Sequence, residues 1–365
     1  MSTAGSLLEW APALRRGVRL GPRLLRGASY LHLIHDPDSG RTYEIGVREH
    51  FVFSRLDGRR TLAEVGEEYA AHFGRVLGEP GWKQLIRLLT ERGLLEGLPA
   101  RVAAPAAAAA VPSSPWRGRR AFGDPSRLLE VLHRRLRPVL RWYVLALPAV
   151  AVCAMELALA ADGGALLRDV RDLAGRPLPG IAVLVGIFLF TTASSGLHEL
   201  AHGLACRHFG GRSDAIGVGW RLPFVYFYCA VEDSRFFGPR RHRVITALAG
   251  VFVNLLVLLP LFACRTWAPV GDTVRQALSA TLLLASLRAL ANLLPFPKLD
   301  GYIALSHALN VMDLADESIR FARRRGAGGY PGWARFAYLG YLLSLLVVWS
   351  VLILGGWLLA ARALS

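Results

Sequence analysis

The stretch from Ile181 to His202 reads IAVLVGIFLFTTASSGLHELAH. From Ile181 to Phe190 every side chain suits lipid, and the stretch then closes on His198-Glu199-Leu200-Ala201-His202. On a helix, positions four apart share a face, so both imidazoles can approach one metal ion while Glu199 beside them takes a proton from a water held there. The five-residue pattern recurs by chance in unrelated chains. Ionisable side chains placed after an apolar run are expensive unless they have partners, which raises its weight here. The competing reading leaves these residues at the membrane interface, satisfied by water.

Composition supports a membrane setting. Of 365 residues 53% are hydrophobic and 19% charged, and the mean hydropathy is +0.36. This excludes a soluble two-domain enzyme and a disordered chain. Five apolar runs are candidate spans, roughly 139–160, 180–205, 244–264, 276–297 and 336–361, each near the ~20 residues that cross a ~30 Å hydrocarbon layer. Loop charge orients them. Segment 206–243 carries seven arginines and 298–335 carries Lys298 plus five, against three in 161–179 and two in 265–275. The richer loops face the cytoplasm by the positive-inside rule, together with the N-terminal region, and the C-terminus lies outside. Trp116 to Arg141, with eight arginines, is a cytoplasmic flank of the first span. The formal charge of +16 is then mainly a matter of topology. Cys153, Cys206, Cys229 and Cys264 form no C-x-x-C pair, so neither a disulfide framework nor a zinc ribbon is expected.

Two histidines leave zinc short of a third protein ligand and an open position for water. The fourth candidate span ends in NLLPFPKLDG, Asn292 to Gly301, a proline-broken helix end that delivers the carboxylate of Asp300. In the orientation above the second and fourth spans run the same way, so His198, His202 and Asp300 lie at similar depth. An Asp-Gly pair standing alone would read as a turn.

HELAH paired with NLLPFPKLDG resembles the site-2 protease family of intramembrane zinc metalloproteases, and Gly250-Val251-Phe252-Val253-Asn254 resembles that family's G-x-x-x-N element on the helix between. The resemblance covers about residues 180–312 and implies Zn²⁺ held by His198, His202 and Asp300, with Glu199 as general base. It implies for Asn254 a catalytic hydrogen bond to the substrate backbone or the developing oxyanion; an interhelical hydrogen bond is the alternative. Asn292 has the same two readings, with helix packing preferred. Val251 stands where the family has a proline and Tyr302 where it has a second glycine, departures that touch packing and channel shape. Residues 214–230 are rich in β-branched and aromatic side chains; relatives carry there a β-hairpin that offers an edge strand to an extended substrate, and an interfacial loop without substrate contact is the other reading. His208, His242 and His307 are expected to be solvated or interfacial.

Ahead of the membrane part, residues 1–27 form a basic segment with Arg15, Arg16, Arg19, Arg23 and Arg26, read either as an interfacial amphipathic stretch or as disorder. Residues 28–98 read as a small α+β winged-helix-like domain. A hairpin turns at Asp36-Pro37-Asp38-Ser39-Gly40, and three helical patterns follow, the second capped by Thr61 with Glu64. The turn, Tyr43, Leu56-Asp57-Gly58 and Glu91-Arg92-Gly93-Leu94-Leu95 resemble the PqqD-like, or precursor-peptide recognition, domains, which implies binding of a leader peptide as an added strand. A nucleic-acid-binding winged helix is set aside, because Leu62 to Phe73 carries Glu64, Glu67 and Glu68 where phosphate would require bases. Residues 99–116 are an Ala/Pro linker, and 117–365 the membrane metalloprotease domain.

The fold expected is therefore a mainly α polytopic membrane protein of about five transmembrane helices with a site-2 protease core and a small N-terminal domain. The function expected is zinc-dependent cleavage of a membrane-associated or ribosomally made precursor peptide at the cell membrane. The alternatives are a non-catalytic peptide-binding or immunity protein, and a protease of membrane-tethered regulators.

Overall fold

Residues 7–96, 116–175, 177–221, 224–323 and 329–364 are described by a computed structural model. The linker expected over 99–116 falls outside them except for Trp116. The chain divides into two compact units.

In the first unit, alternating apolar residues and turn formers give a four-stranded antiparallel sheet. Strands β1 (Arg19–Leu20) and β2 (Leu24–Arg26) pair with successive parts of one edge of β3 (Ser29–Asp36), and β4 (Arg41–Gly46) takes the other edge. The β3–β4 turn is held by Asp36, which accepts the Ser39 hydroxyl at 2.6 Å and the Asp38 N–H at 3.1 Å and pairs with Arg15. Gly40 closes it at φ +65°, a conformation that favours glycine. Helices α1 (Val47–Phe53), α2 (Leu62–Phe73) and α3 (Glu79–Glu91) follow. Thr61 and Glu64 form a reciprocal cap: the Thr61 Oγ1 accepts the Glu64 N–H at 3.3 Å and the Glu64 carboxylate accepts the Thr61 N–H at 2.8 Å. Ile34, Ile45, Phe53, Val65, Trp82 and Leu89 fill the core. Residues 310–313 join this unit, Leu25 exchanging hydrogen bonds of 2.8 Å with Asn310 and Met312 beside a parallel bridge to Val311.

The second unit opens on β5 (Arg117–Gly123) and continues through α4 (Ser126–Leu136), α5 (Trp142–Ala161), α6 (Gly163–Ala174) and α7 (Pro177–His208). Strands β6 (Ile216–Arg221) and β7 (Phe224–Cys229) come next, then α8 (Arg240–Leu256), α9 (Leu259–Trp267), α10 (Asp272–Ala291), α11 (Asp300–Leu309), α12 (Leu314–Arg323) and α13 (Gly332–Leu364). Met155 of α5, Val251 and Leu255 of α8 and Leu282 of α10 share one buried cluster.

Four stretches among the described residues are long and apolar enough to cross a bilayer: Trp142–Ala161, Gly180–His208, Arg240–Trp267 and Gly332–Trp357. The expected fifth, 276–297, does not join them. Its helix ends at Ala291, and Arg275, Gln276, Ser279, Thr281, Ser286 and Arg288 dilute its apolar content. Residues 214–230 are a hairpin, joined by β5 into a three-stranded sheet in the order β5-β6-β7. Charge hid β5: its arginines read as a membrane flank, whereas Gly118 faces Trp220 so closely that a Cβ would strike the indole.

Candidate metal centre

The ligand-bearing end of α7 is built by changing what its hydroxyls do. Thr192 and Ser195 bond back to carbonyls one turn earlier, Phe188 at 2.7 Å and Thr191 at 2.7 Å, and so hide their polarity within the helix. Ser194 instead reaches across to Asn254 of α8, its Oγ 2.8 Å from Asn254 Oδ1. One turn later His198 and His202 are buried, and their Nε2 atoms stand 3.1 Å apart. Asp300, at the start of α11, brings Oδ2 to 3.1 Å from His198 Nε2 and Oδ1 to 3.5 Å from His202 Nε2.

The donor set fits a tetrahedral ion. Bonds of ~2.0–2.1 Å at tetrahedral angles set ligand atoms about 3.3 Å apart, near the 3.1 Å between the two Nε2 atoms and the 3.1 and 3.5 Å from them to the two carboxylate oxygens of Asp300. Nδ1 of His202 lies 2.7 Å from the carbonyl of Thr246, which accepts the Nδ1–H and leaves the Nε2 lone pair available to a metal. Nδ1 of His198 lies 3.0 Å from the Asn254 amide, whose two ends have the same shape and can meet an Nδ1–H with oxygen. Asp300 Oδ2 is buried without a proper hydrogen bond despite its nearness to His198, as a carboxylate oxygen aimed at a cation would be. Gly250 completes the cradle: a Cβ there would stand 2.5 Å from His202 Nε2 and 2.6 Å from His198 Nε2.

Glu199 is not part of this triangle. Its Oε2 accepts the N–H of Cys229, at the end of β7, over 2.9 Å, so the sheet fixes the carboxylate's orientation. His198, Glu199 and Asp300 line a cavity of about 890 Å³ together with Val225, Tyr226 and Phe227 of β7. Asp300 reaches it because the chain folds back at Gly301, which donates its N–H to the Asn292 carbonyl over 2.8 Å. A Cβ at Gly301 would collide with the Leu293 backbone. Asn292 lines the cavity; Asn254, 5% exposed and engaged by Ser194 and His198, is not among its lining residues.

The remaining histidines divide. His208 is exposed beside His133 and His242 stacks on Phe209, whereas His307, expected like them to be solvated or interfacial, is half-buried. Burial, then Arg243 and Arg235, lower its pKa to about 4. Sequence reasoning passed over Arg288, which lines the cavity from α10. An arginine inside an otherwise apolar segment was the available signal.

The chain is 32% identical over 130 residues, 34% of its length, to "Putative peptide zinc metalloprotease protein YydH" of Bacillus subtilis, of which it covers 46%. It is 31% identical over 173 residues, 41% of its length, to "Putative zinc metalloprotease Rip2" of Mycobacterium tuberculosis, of which it covers 66%. The chain thus spans about half to two thirds of these curated relatives. No family model matches it, and no solved structure does. The chain is a multi-pass membrane protein with partial, distant similarity to proteins named as zinc metalloproteases, and zinc is the cofactor that its His198-His202-Asp300 group fits.

Proposed function

We propose that the chain is an intramembrane zinc metallopeptidase of the site-2 protease type that cleaves an extended peptide lying along β7. The observation that carries this reading is the convergence of His198, His202 and Asp300 on one point of a cavity that Glu199 also lines. Zinc, when bound, would lower the pKa of a water toward about 7 and polarise a carbonyl. Glu199 is the base. With Oε2 engaged by the Cys229 N–H, Oε1 accepts the proton and later gives it to the leaving amine. Strand β7 pairs with β6 on one side and with no strand among the described residues on the other, and that edge can hold a substrate extended, the form in which its amides are open to attack.

In this reading α10 is a fifth crossing, the N-terminal unit is cytoplasmic and the C-terminus lies outside. The name of the Bacillus relative supports a peptide substrate. The outer edge of β4 offers residues 28–98 a place for a leader strand, which would raise the substrate's local concentration. Full-length protein in nanodiscs is expected to hold close to one zinc per chain and to cut members of a randomised peptide mixture, read by mass spectrometry. Chelation should stop cleavage, zinc should restore it, and His202→Ala should hold under a tenth of the metal. Cleavage that survives complete metal removal rejects the proposal.

Asn254 acts as a positioning residue for His198. Asn254→Ala is expected to weaken zinc binding about 10–100-fold while turnover recovers at saturating zinc. An oxyanion donor would behave oppositely, leaving zinc bound and lowering kcat by about 10²–10³ at any zinc concentration.

A further inference from the structure

Four cations, Arg119, Arg221, Arg288 and Lys298, line the cavity that holds the metal ligands. Among the described residues its carboxylates are Glu199 and Asp300, whose charges a divalent ion would cancel. None of the four has a carboxylate partner among the described residues. Arg119 approaches the Tyr226 hydroxyl at 3.5 Å and lies 5.2 Å from the Tyr228 ring centroid. Arg221 ends β6 and is exposed. Lys298 is held in the left-handed region, φ +79°, two residues before Asp300, a backbone state that a non-glycine side chain adopts at some expense.

Arg288 is the most informative. It sits on the mainly apolar α10 and donates to the Thr191 carbonyl at 2.9 Å and to the Ser195 hydroxyl, one turn from His198 on α7. Two neutral acceptors orient the guanidinium without neutralising it, and the rest of its N–H donors stay free for a planar, anionic group. Charge counting along the sequence absorbs Arg221 and Lys298 into membrane orientation. Orientation does not explain why these charges and Arg288 gather around one cavity.

We infer that this cationic cavity selects peptides bearing carboxylates, Asp or Glu side chains or a terminal carboxylate, close to the bond presented to Glu199. The inference rests on the proposed peptidase reading and specifies its substrate class. A peptide is favoured over an anionic lipid headgroup because the exposed edge residues Val225 and Tyr226 line the same space, and because Arg288 is held by Ser195, one turn from His198 on α7.

The test measures binding, so it does not depend on cleavage. Full-length Glu199→Gln protein, zinc-loaded in phosphatidylcholine nanodiscs, is titrated with two dye-labelled Ala/Val decapeptides that differ only in a central Glu-Glu or Gln-Gln pair. The acidic peptide should bind at least tenfold tighter, and the gap should narrow several-fold in Arg288→Gln and again in Arg221→Gln while the neutral peptide's affinity holds. Equal affinity for the two peptides overturns the inference, as does a preference that both substitutions leave intact. So does a preference that disappears when phosphatidylglycerol is included, which would assign the cations to lipid. Failure of the peptidase reading would show separately, as wild-type protein that binds the acidic peptide and never cuts it.

Discussion

Glu199→Gln should reduce peptide cleavage by about 10³-fold while leaving zinc content and thermal stability at wild-type values. The substitution keeps the side chain's shape and an oxygen that can accept the Cys229 N–H, so the link between α7 and β7 survives. The metal triangle survives too, because His198, His202 and Asp300 form it without Glu199. What disappears is the capacity to take a proton at neutral pH, and nothing else lining the cavity supplies it. His198 and Asp300 are the proposed metal ligands, and the remaining ionisable groups there are Arg119, Arg221, Arg288, Lys298 and Tyr226. Zinc content measured beside cleavage separates this from a structural lesion, since a disturbed site would lose both together. Unchanged cleavage in Glu199→Gln would remove Glu199 from the mechanism and with it the assignment of the reaction to this cavity.

How far the site could be read in the sequence depended on whether the signal was local. Two histidines four apart on a helix share a face by geometry alone, and Leu-Asp-Gly after a proline-broken helix end already suggested a carboxylate delivered from elsewhere. In the first unit the β3–β4 hairpin and the three helices after it were legible for the same reason, since the Asp36–Gly40 turn and the Thr61–Glu64 cap are short-range patterns. Strands β1 and β2, by contrast, lie in the basic segment 1–27 that read as an interfacial stretch or disorder, and are strands because they pair with β3. Strand β5 was not, because its partner lies about a hundred residues on and its arginines carry a stronger signal for a membrane flank. The Ser194–Asn254–His198 relay and the Thr246 carbonyl under His202 join α7 to α8, and their pairing is a product of packing that no spacing encodes. Arg288 was visible as an anomaly in an apolar run, yet what it faces is set by how α10 packs on α7. Helix α10 itself shows the limit of hydropathy, for the polar residues that lower its apolar score include Ser286, bonded to Glu156 of α5 at 2.5 Å, and Ser279, bonded to Asp169 of α6 at 2.6 Å. Polar residues satisfied between helices look to a composition window like residues meant for water.

Gly250→Ala should strip the protein of zinc without unfolding it. Inside a helix, alanine for glycine normally stabilises by roughly 0.5–1 kcal/mol, because the unfolded chain loses freedom and the helix gains a better former. On α8 that gain is opposed by a clash of unusual placement. The new Cβ would stand 2.5 Å from His202 Nε2 and 2.6 Å from both Cε1 and Nε2 of His198. Of those three atoms, two are the nitrogens proposed to hold the metal, so the methyl group would compete for the ion's own space. The rings can give way only by tilting, which would stretch the 2.7 Å contact of His202 with Thr246 or the 3.0 Å contact of His198 with Asn254. Either movement spoils the tetrahedral arrangement before it destabilises the helix. Occupancy below a tenth is expected at a zinc concentration that saturates the wild type, with cleavage lost in proportion and the metal-free protein no less stable than its parent. Gly196→Ala is the matched control, since a Cβ there meets nothing within 4 Å although it lies on α7 just before His198. If Gly250 served only to let α7 and α8 pack closely, its alanine variant would show the reverse pattern, a lower melting temperature with full zinc in the molecules that remain folded. The two outcomes differ in sign on both axes, so a single pair of measurements distinguishes a glycine that makes room for a helix from one that makes room for a metal.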